Sequence, residues 1–221
     1  MRFAPLPESL PPTVPFTGPE TLERRRGAPF VARLGANENG FGPSPLAVQA
    51  MARAASEVWK YGDPDSHDLR HALATLHGVS PDQILIGEGI DGLLGLLVRL
   101  MLAPGDVAVT SDGAYPTFNY HVAGFGGVLS KVPYRDDRED PEALLARAAE
   151  VQARLIYLAN PDNPMGSWHK GARITAMLDD LPPETLFVLD EAYAEFAPED
   201  AIPQIAPDDD RVIRFRTFSK A

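Results

Sequence analysis

The sequence predicts a three-layer α/β fold, a doubly wound and mostly parallel sheet preceded by an irregular N-terminal arm. Three observations carry this expectation. From residue 84 onward, short apolar runs alternate with helical stretches, the pattern that builds parallel sheets through right-handed crossovers. Two late runs, Leu186-Phe187-Val188-Leu189 and Val212-Ile213-Arg214-Phe215, have strand length and composition. Each leads directly into polar residues, Asp190-Glu191-Ala192-Tyr193 and Thr217-Phe218-Ser219-Lys220.

The bulk properties narrow the class of function. At 221 residues the chain can bury a real core, and 44% hydrophobic with 23% charged residues is ordinary for a water-soluble globular protein. A net charge of −11 argues against nucleic acid or an anionic membrane as the main partner. There are no cysteines, which excludes disulfides and thiolate metal sites and fits a cytoplasmic setting. The longest apolar run, residues 93–102, is interrupted by Gly95 and Arg99 and is too short to span a bilayer. The N-terminus is broken by Pro5, Pro7, Pro11, Pro12 and Pro15 and has no apolar signal core.

In chain order, residues 1–33 read as a proline-rich arm without regular ladders. Residues 34–45 form a loop dominated by Asn, Gly and Pro, and Ser44-Pro45 starts a helix reaching about residue 58. After a turn at residues 59–64, Asp65 or Ser66 is expected to cap a helix over 67–77 that Gly78 ends. Ile84-Leu85-Ile86 reads as a short buried strand running into Gly87-Glu88-Gly89-Ile90-Asp91-Gly92 and a helix over 93–101. A strand, glycine turn and helix N-terminus together make an anion cradle from free backbone N–H groups. Further strands are expected at 107–110, 128–132 and 155–158, and further helices from 117, over 141–153 and over 171–180. Residues 34–221 would form one large domain.

The chemistry is expected where the strands end, since open α/β sheets bind ligands beyond the carboxyl ends of their strands. If the runs at 186 and 212 are parallel neighbours, Asp190, Tyr193, Ser219 and Lys220 meet at one edge. A carboxylate, a phenol, a hydroxyl and an amine there suit pyridoxal phosphate, which needs a lysine for its Schiff base and an acidic partner for its pyridinium nitrogen. Lys220, near a desolvated edge, can act as nucleophile and then as general base. Asp190 ends an apolar strand, where a carboxylate needs a partner to offset its burial. Asn163 and Tyr193 can both hydrogen-bond a phenolate oxygen, and Tyr115 can stack on a ring face. No histidine lies near Asp190 in sequence, so no metal site is expected there.

These segments resemble the fold-type I aminotransferases that use pyridoxal phosphate, most closely the histidinol-phosphate aminotransferase group. The resemblance rests on Asn37-Glu38-Asn39 with Gly42-Pro43-Ser44-Pro45, Tyr61-Gly62-Asp63-Pro64, Gly89-Ile90-Asp91, Ala114-Tyr115-Pro116, Asn160-Pro161-Asp162-Asn163-Pro164-Met165-Gly166, Asp190-Glu191-Ala192-Tyr193 and Thr217-Phe218-Ser219-Lys220-Ala221. It implies that Lys220 carries the Schiff base, Asp190 pairs with the ring nitrogen, Asn163 and Tyr193 bind the ring oxygen, and Tyr115 stacks. It also implies that Gly89, Ile90 and Asp91, with the hydroxyls of Thr217 and Ser219, hold the phosphate. Tyr61 would reach the cofactor phosphate of a neighbouring subunit in a homodimer, and Asn37 would line the substrate pocket. The reaction implied is amino transfer from a small-molecule amino donor to a 2-oxo acid acceptor.

The resemblance departs at four places: Gly40-Phe41, Gly92, Met165, and Arg214, which sits in a strand that is normally apolar. The family also continues well beyond Lys220, with a further arginine and a small domain. The chain is therefore expected to be the N-terminal portion of such an enzyme. Two other functions fit the motifs: a pyridoxal-phosphate-dependent decarboxylase of a phosphorylated amino acid, and a non-catalytic fragment.

Overall fold

A computed structural model describes residues 3–10 and 17–220. Pro11, Pro12 and Pro15 of the arm, and Ala221 of the last motif, lie outside the described residues. The chain divides into two units, one comprising Met1–Ala36 with Glu88–Ala221 and the other Asn37–Gly87.

In the first unit, five strands form one all-parallel sheet in the order β2-β1-β3-β4-β5. They are β1 (Val107–Asp112), β2 (Val128–Pro133), β3 (Leu155–Ala159), β4 (Leu186–Asp190) and β5 (Val212–Phe215). β3 is buried along its whole length, as expected of a central parallel strand covered on both faces. Its alternate residues separate two cores. Leu155, Tyr157 and Ala159 join Ile90, Leu94, Val98, Phe118, Val122 and Phe215 on one face. Ile156 and Leu158 join Val109, Leu144, Ala148, Ile174 and Phe187 on the other. Helices α5 (Gly89–Met101) and α6 (Thr117–Gly124) supply the first face, while α7 (Pro141–Val151) and α8 (Gly171–Ala176) supply the second. The three-layer, doubly wound expectation holds, and β4 and β5 are parallel neighbours with Asp190 opposite Phe215.

The arm is not wholly irregular. It contains α1 (Pro5–Ser9) and α2 (Pro19–Arg26), each with proline at its first position and α2 closed by Gly27 in the left-handed region. Prolines that forbid a helix interior are well placed at its start, where their missing N–H has no partner to lose.

In the second unit, α3 (Pro45–Ala54) passes into a 3-10 turn before residue 58, and Ser44 occupies its N-cap position without a side-chain capping bond. α4 (His67–His77) ends at Gly78, whose φ of 66° suits a residue without Cβ. Neither Asp65 nor Ser66 caps it. Asp63 does, with Oδ2 accepting from the His67 N–H at 2.8 Å and Oδ1 from Asp65 N–H at 3.1 Å. These bonds hold the Asp63 carboxyl below its ordinary pKa. Residues 84–86 are not a strand: they belong to no ladder, and Leu85 is exposed. An apolar run becomes a strand only where a neighbour takes its backbone hydrogen bonds.

Helices α7 and α8 end earlier than residues 153 and 180. Gln152 terminates α7 with φ 51°, and α8 gives way to turns after Ala176. At the start of α8, a Cβ on Gly171 would lie 2.3 Å from the Ile202 carbonyl oxygen and 2.7 Å from Pro203 N. Both atoms are backbone and cannot rotate away. Gly171→Ala is therefore expected to cost about 2 kcal/mol, measurable as a lowered urea midpoint with an unchanged slope.

Candidate active site at the carboxyl edge of the sheet

β4 delivers Asp190 to the sheet edge, buried, with its oxygens held by two donors. The Tyr157 O–H donates to Oδ2 at 2.6 Å, and the Ala192 N–H donates to Oδ1 at 2.9 Å. Burial pushes its pKa up and these donors pull it back. Nearby carboxylates at Asp91 and Glu191 add repulsion. At the N-terminus of α5, Gly89 has a left-handed φ of 71°.

The loops after β3, β4 and β5 bring three further expected residues together. Asn163 Nδ2 donates to the Tyr193 oxygen at 3.3 Å, and Lys220 Nζ lies 6.0 Å from the Tyr193 ring centroid. Lys220 is half-buried and donates to the Ala36 carbonyl at 3.0 Å. The Thr217 and Ser219 hydroxyls are 2.9 Å apart, and the Ser219 N–H donates to Thr217 Oγ1 at 3.1 Å. Ile90 is turned into the core, which leaves its backbone as the group available to a ligand. Tyr115 is half-buried just beyond β1. Asn37, with a φ of 53°, and Tyr61, 103% exposed, belong to the second unit. Among the described residues, no group of three or more His, Cys, Asp or Glu is placed to hold a metal ion.

Sequence reasoning missed four supporting residues. Tyr157 read only as an apolar strand member. Asn160 lay in a quoted motif without a role; its Nδ2 donates to the His169 and Ala201 carbonyls, and its Oδ1 accepts from the His169 N–H. Glu139, 2% exposed, accepts from Ser111 Oγ at 2.5 Å and from the Ala159 N–H at 2.9 Å, joining the ends of β1 and β3. Burial pushes its pKa up to about 8. Glu191 is wholly buried and receives two hydrogen bonds from Arg214, at 2.6 and 2.9 Å, and one from Arg216 at 3.2 Å. Here a signal existed: a charged residue within an apolar strand asks for an opposite charge, and Arg214 was that residue.

The donor set fits the cofactor that the sequence implies. A buried carboxylate, an amine, an amide beside a phenol, and a pair of hydroxyls are the kinds of group a ring nitrogen, an aldehyde, a ring oxygen and a phosphate require.

The profile of the aminotransferase class I and II family matches residues 31–221. A histidinol-phosphate aminotransferase of Anaeromyxobacter sp. (strain Fw109-5) is 38% identical over 218 residues, covering 96% of this chain and 59% of that protein. One of Moorella thermoacetica is 36% identical, covering 96% of this chain and 56% of that protein. The crystal structure of histidinol-phosphate aminotransferase from Sinorhizobium meliloti in complex with pyridoxal-5'-phosphate superposes with a TM-score of 0.94 at 58% identity, covering 99% of this chain and 59% of that one. The chain thus spans less than two thirds of the length of the relatives it matches. With this match over its sheet and its motifs, the chain belongs to the class I and II aminotransferase family.

Proposed function

We propose that this chain is the cofactor-binding part of a pyridoxal-phosphate-dependent aminotransferase of the histidinol-phosphate type. It would transfer an amino group from a histidinol-phosphate-like or aromatic donor to a 2-oxo acid in the cytoplasm. Residues 34–221 act as the large domain in this reading. The observation that carries it is the meeting of Lys220, Tyr193 and Asn163 on the loops beyond the sheet edge that holds Asp190.

Pyridoxal phosphate, when bound, supplies an electron sink for the pair left at the donor's α-carbon. Every other role falls to the chain. The Asp190 carboxylate keeps a proton on the ring nitrogen. Asn163 Nδ2 and the Tyr193 phenol hold the ring oxygen, and Tyr115 covers a ring face and excludes water. Thr217 and Ser219 donate hydroxyls to the phosphate, with the backbone N–H groups of Gly89, Ile90 and Asp91 completing the cradle. Lys220 would hold the cofactor through its amine, and the same amine would serve as base and then acid for the donor's α-proton.

Asn37 contacts the substrate in this reading, and Tyr61 serves the phosphate of a second subunit. The side chains of Leu46, Met51, Val58, Trp59 and Tyr61 in the second unit are exposed, and a second subunit would cover apolar surface of this kind.

Cofactor trapping tests the proposal. After incubation with pyridoxal phosphate, borohydride reduction and digestion, the added mass is expected on Lys220 alone. Adducts scattered over surface lysines, or none, would overturn it.

A further inference from the structure

Tyr157 takes no part in the chemistry above, yet it is tied to it by a single hydrogen bond. Its side chain is 1% exposed. Its ring stacks on Phe118 of α6, with centroids 4.7 Å apart and planes at 13°. That packing fixes the direction from which its O–H meets Asp190 Oδ2, at 2.6 Å. With the Ala192 N–H on Oδ1, both oxygens of the carboxylate are held and its plane is set.

The surroundings of Asp190 otherwise oppose its charge. Burial is the larger cause, and Asp91 of α5 and Glu191, the residue after β4, add repulsion; Glu139, before α7, is itself held protonated by burial. Glu191 is paired with Arg214 and Arg216, whose guanidiniums point to it and not to Asp190. A hydrogen bond to an ionised group favours the ionised form, and more so where water is excluded.

We propose that Tyr157 is a positioning residue that fixes the orientation of the Asp190 carboxylate and holds it ionised at the sheet edge, ready for a protonated ring nitrogen. This rests on the reading of Asp190 given under the proposed function. In this role Tyr157 acts through Asp190, its hydrogen-bond partner.

The test is Tyr157→Phe, which keeps the ring stack and deletes the O–H. With the aspartate carboxyl carbons labelled with carbon-13, and Asp190 assigned through Asp190→Asn, the midpoint of its titration is expected to rise by about one pH unit, a tenfold gain in proton affinity. Affinity for pyridoxal phosphate is expected to fall about tenfold with it. An unmoved midpoint overturns the proposal, including the case where cofactor affinity falls without it. If Tyr157→Phe does not fold, a fluorinated tyrosine at position 157 makes the donor more acidic, and the midpoint must then move down. The two readings separate cleanly. If Asp190→Asn leaves cofactor affinity unchanged while Tyr157→Phe moves the titration, the cofactor role of Asp190 fails and the hold of Tyr157 on it stands.

Discussion

Replacing Arg214 by methionine is expected to lower the unfolding free energy by about 3–5 kcal/mol, the range for removing one partner of a buried ion pair. The carboxylate left behind is 0% exposed. Arg214 donates two of its hydrogen bonds, and Arg216 retains one, at 3.2 Å, while also serving Glu195 at 3.0 Å. Arg214 itself has a side chain 31% exposed, so it loses less than Glu191 when the pair is broken. Glu191→Ala is therefore expected to cost less than Arg214→Met. The double variant Glu191→Met with Arg214→Met is expected to recover most of the loss, because well-packed apolar residues commonly replace a buried ion pair at no cost. A urea-denaturation double-mutant cycle measures the coupling. Strictly additive losses would show that the pair does not act as a unit.

The second large effect is a dependence of stability on pH. Glu139 has its pKa pushed up to about 8 by burial, from an ordinary value of 4.5. In the folded chain it keeps its proton across that window, whereas the unfolded chain releases it near the lower end. The folded state binds more protons there, so stability falls as pH rises from 4.5 to about 8. The maximum slope is about 1.4 kcal/mol per pH unit, for a total of a few kcal/mol. Burial also pushes the Asp162 and Asp190 carboxyls up, so their contributions have the same sign.

Glu139→Gln is expected to flatten the slope without abolishing it, and to be more stable than the parent chain at pH 8. The amide oxygen can accept from the Ala159 N–H while the amide nitrogen donates to Ser111 Oγ, so both contacts survive. Denaturation series at pH 5 and pH 8 decide this. An equal slope in both proteins would show that Glu139 is ionised in the fold at neutral pH.

The centre of the sheet was legible because its strands are continuous apolar runs. Leu155-Ile156-Tyr157-Leu158 and Leu186-Phe187-Val188-Leu189 have no other stable use in a chain of this composition. The loop chemistry was legible because Asp190 ends such a run and Lys220 lies in the short polar stretch just after the strand-like run at 212–215. What hid was everything that depends on distance across the fold. Glu139 is 20 residues from Ala159 and 28 from Ser111, and nothing local marks it as buried. Tyr157 lies 33 residues from Asp190, and its hydroxyl is invisible to a pattern that counts it as apolar. Residues 84–86 erred in the opposite direction: their composition is that of a strand, but a strand is made by its neighbour. Asp63 was passed over as a cap because it sits four residues before His67, farther than the usual capping spacing.

The register between β4 and β5 sets Leu189 against Arg214 and Asp190 against Phe215. Arg214 and Arg216 are two residues apart, so they project from one face of the extended chain, with buried Phe215 facing the other way. Sliding β5 by one residue would turn both guanidiniums away from Glu191 and bring Phe215 out of its core. The mispaired chain thus fails twice, once through an unmatched buried charge and once through a stranded aromatic ring. A four-residue strand carries little pairing energy with which to recognise its place. The ion cluster gives it a proofreading step, and the loop bearing Lys220 inherits the accuracy of that check.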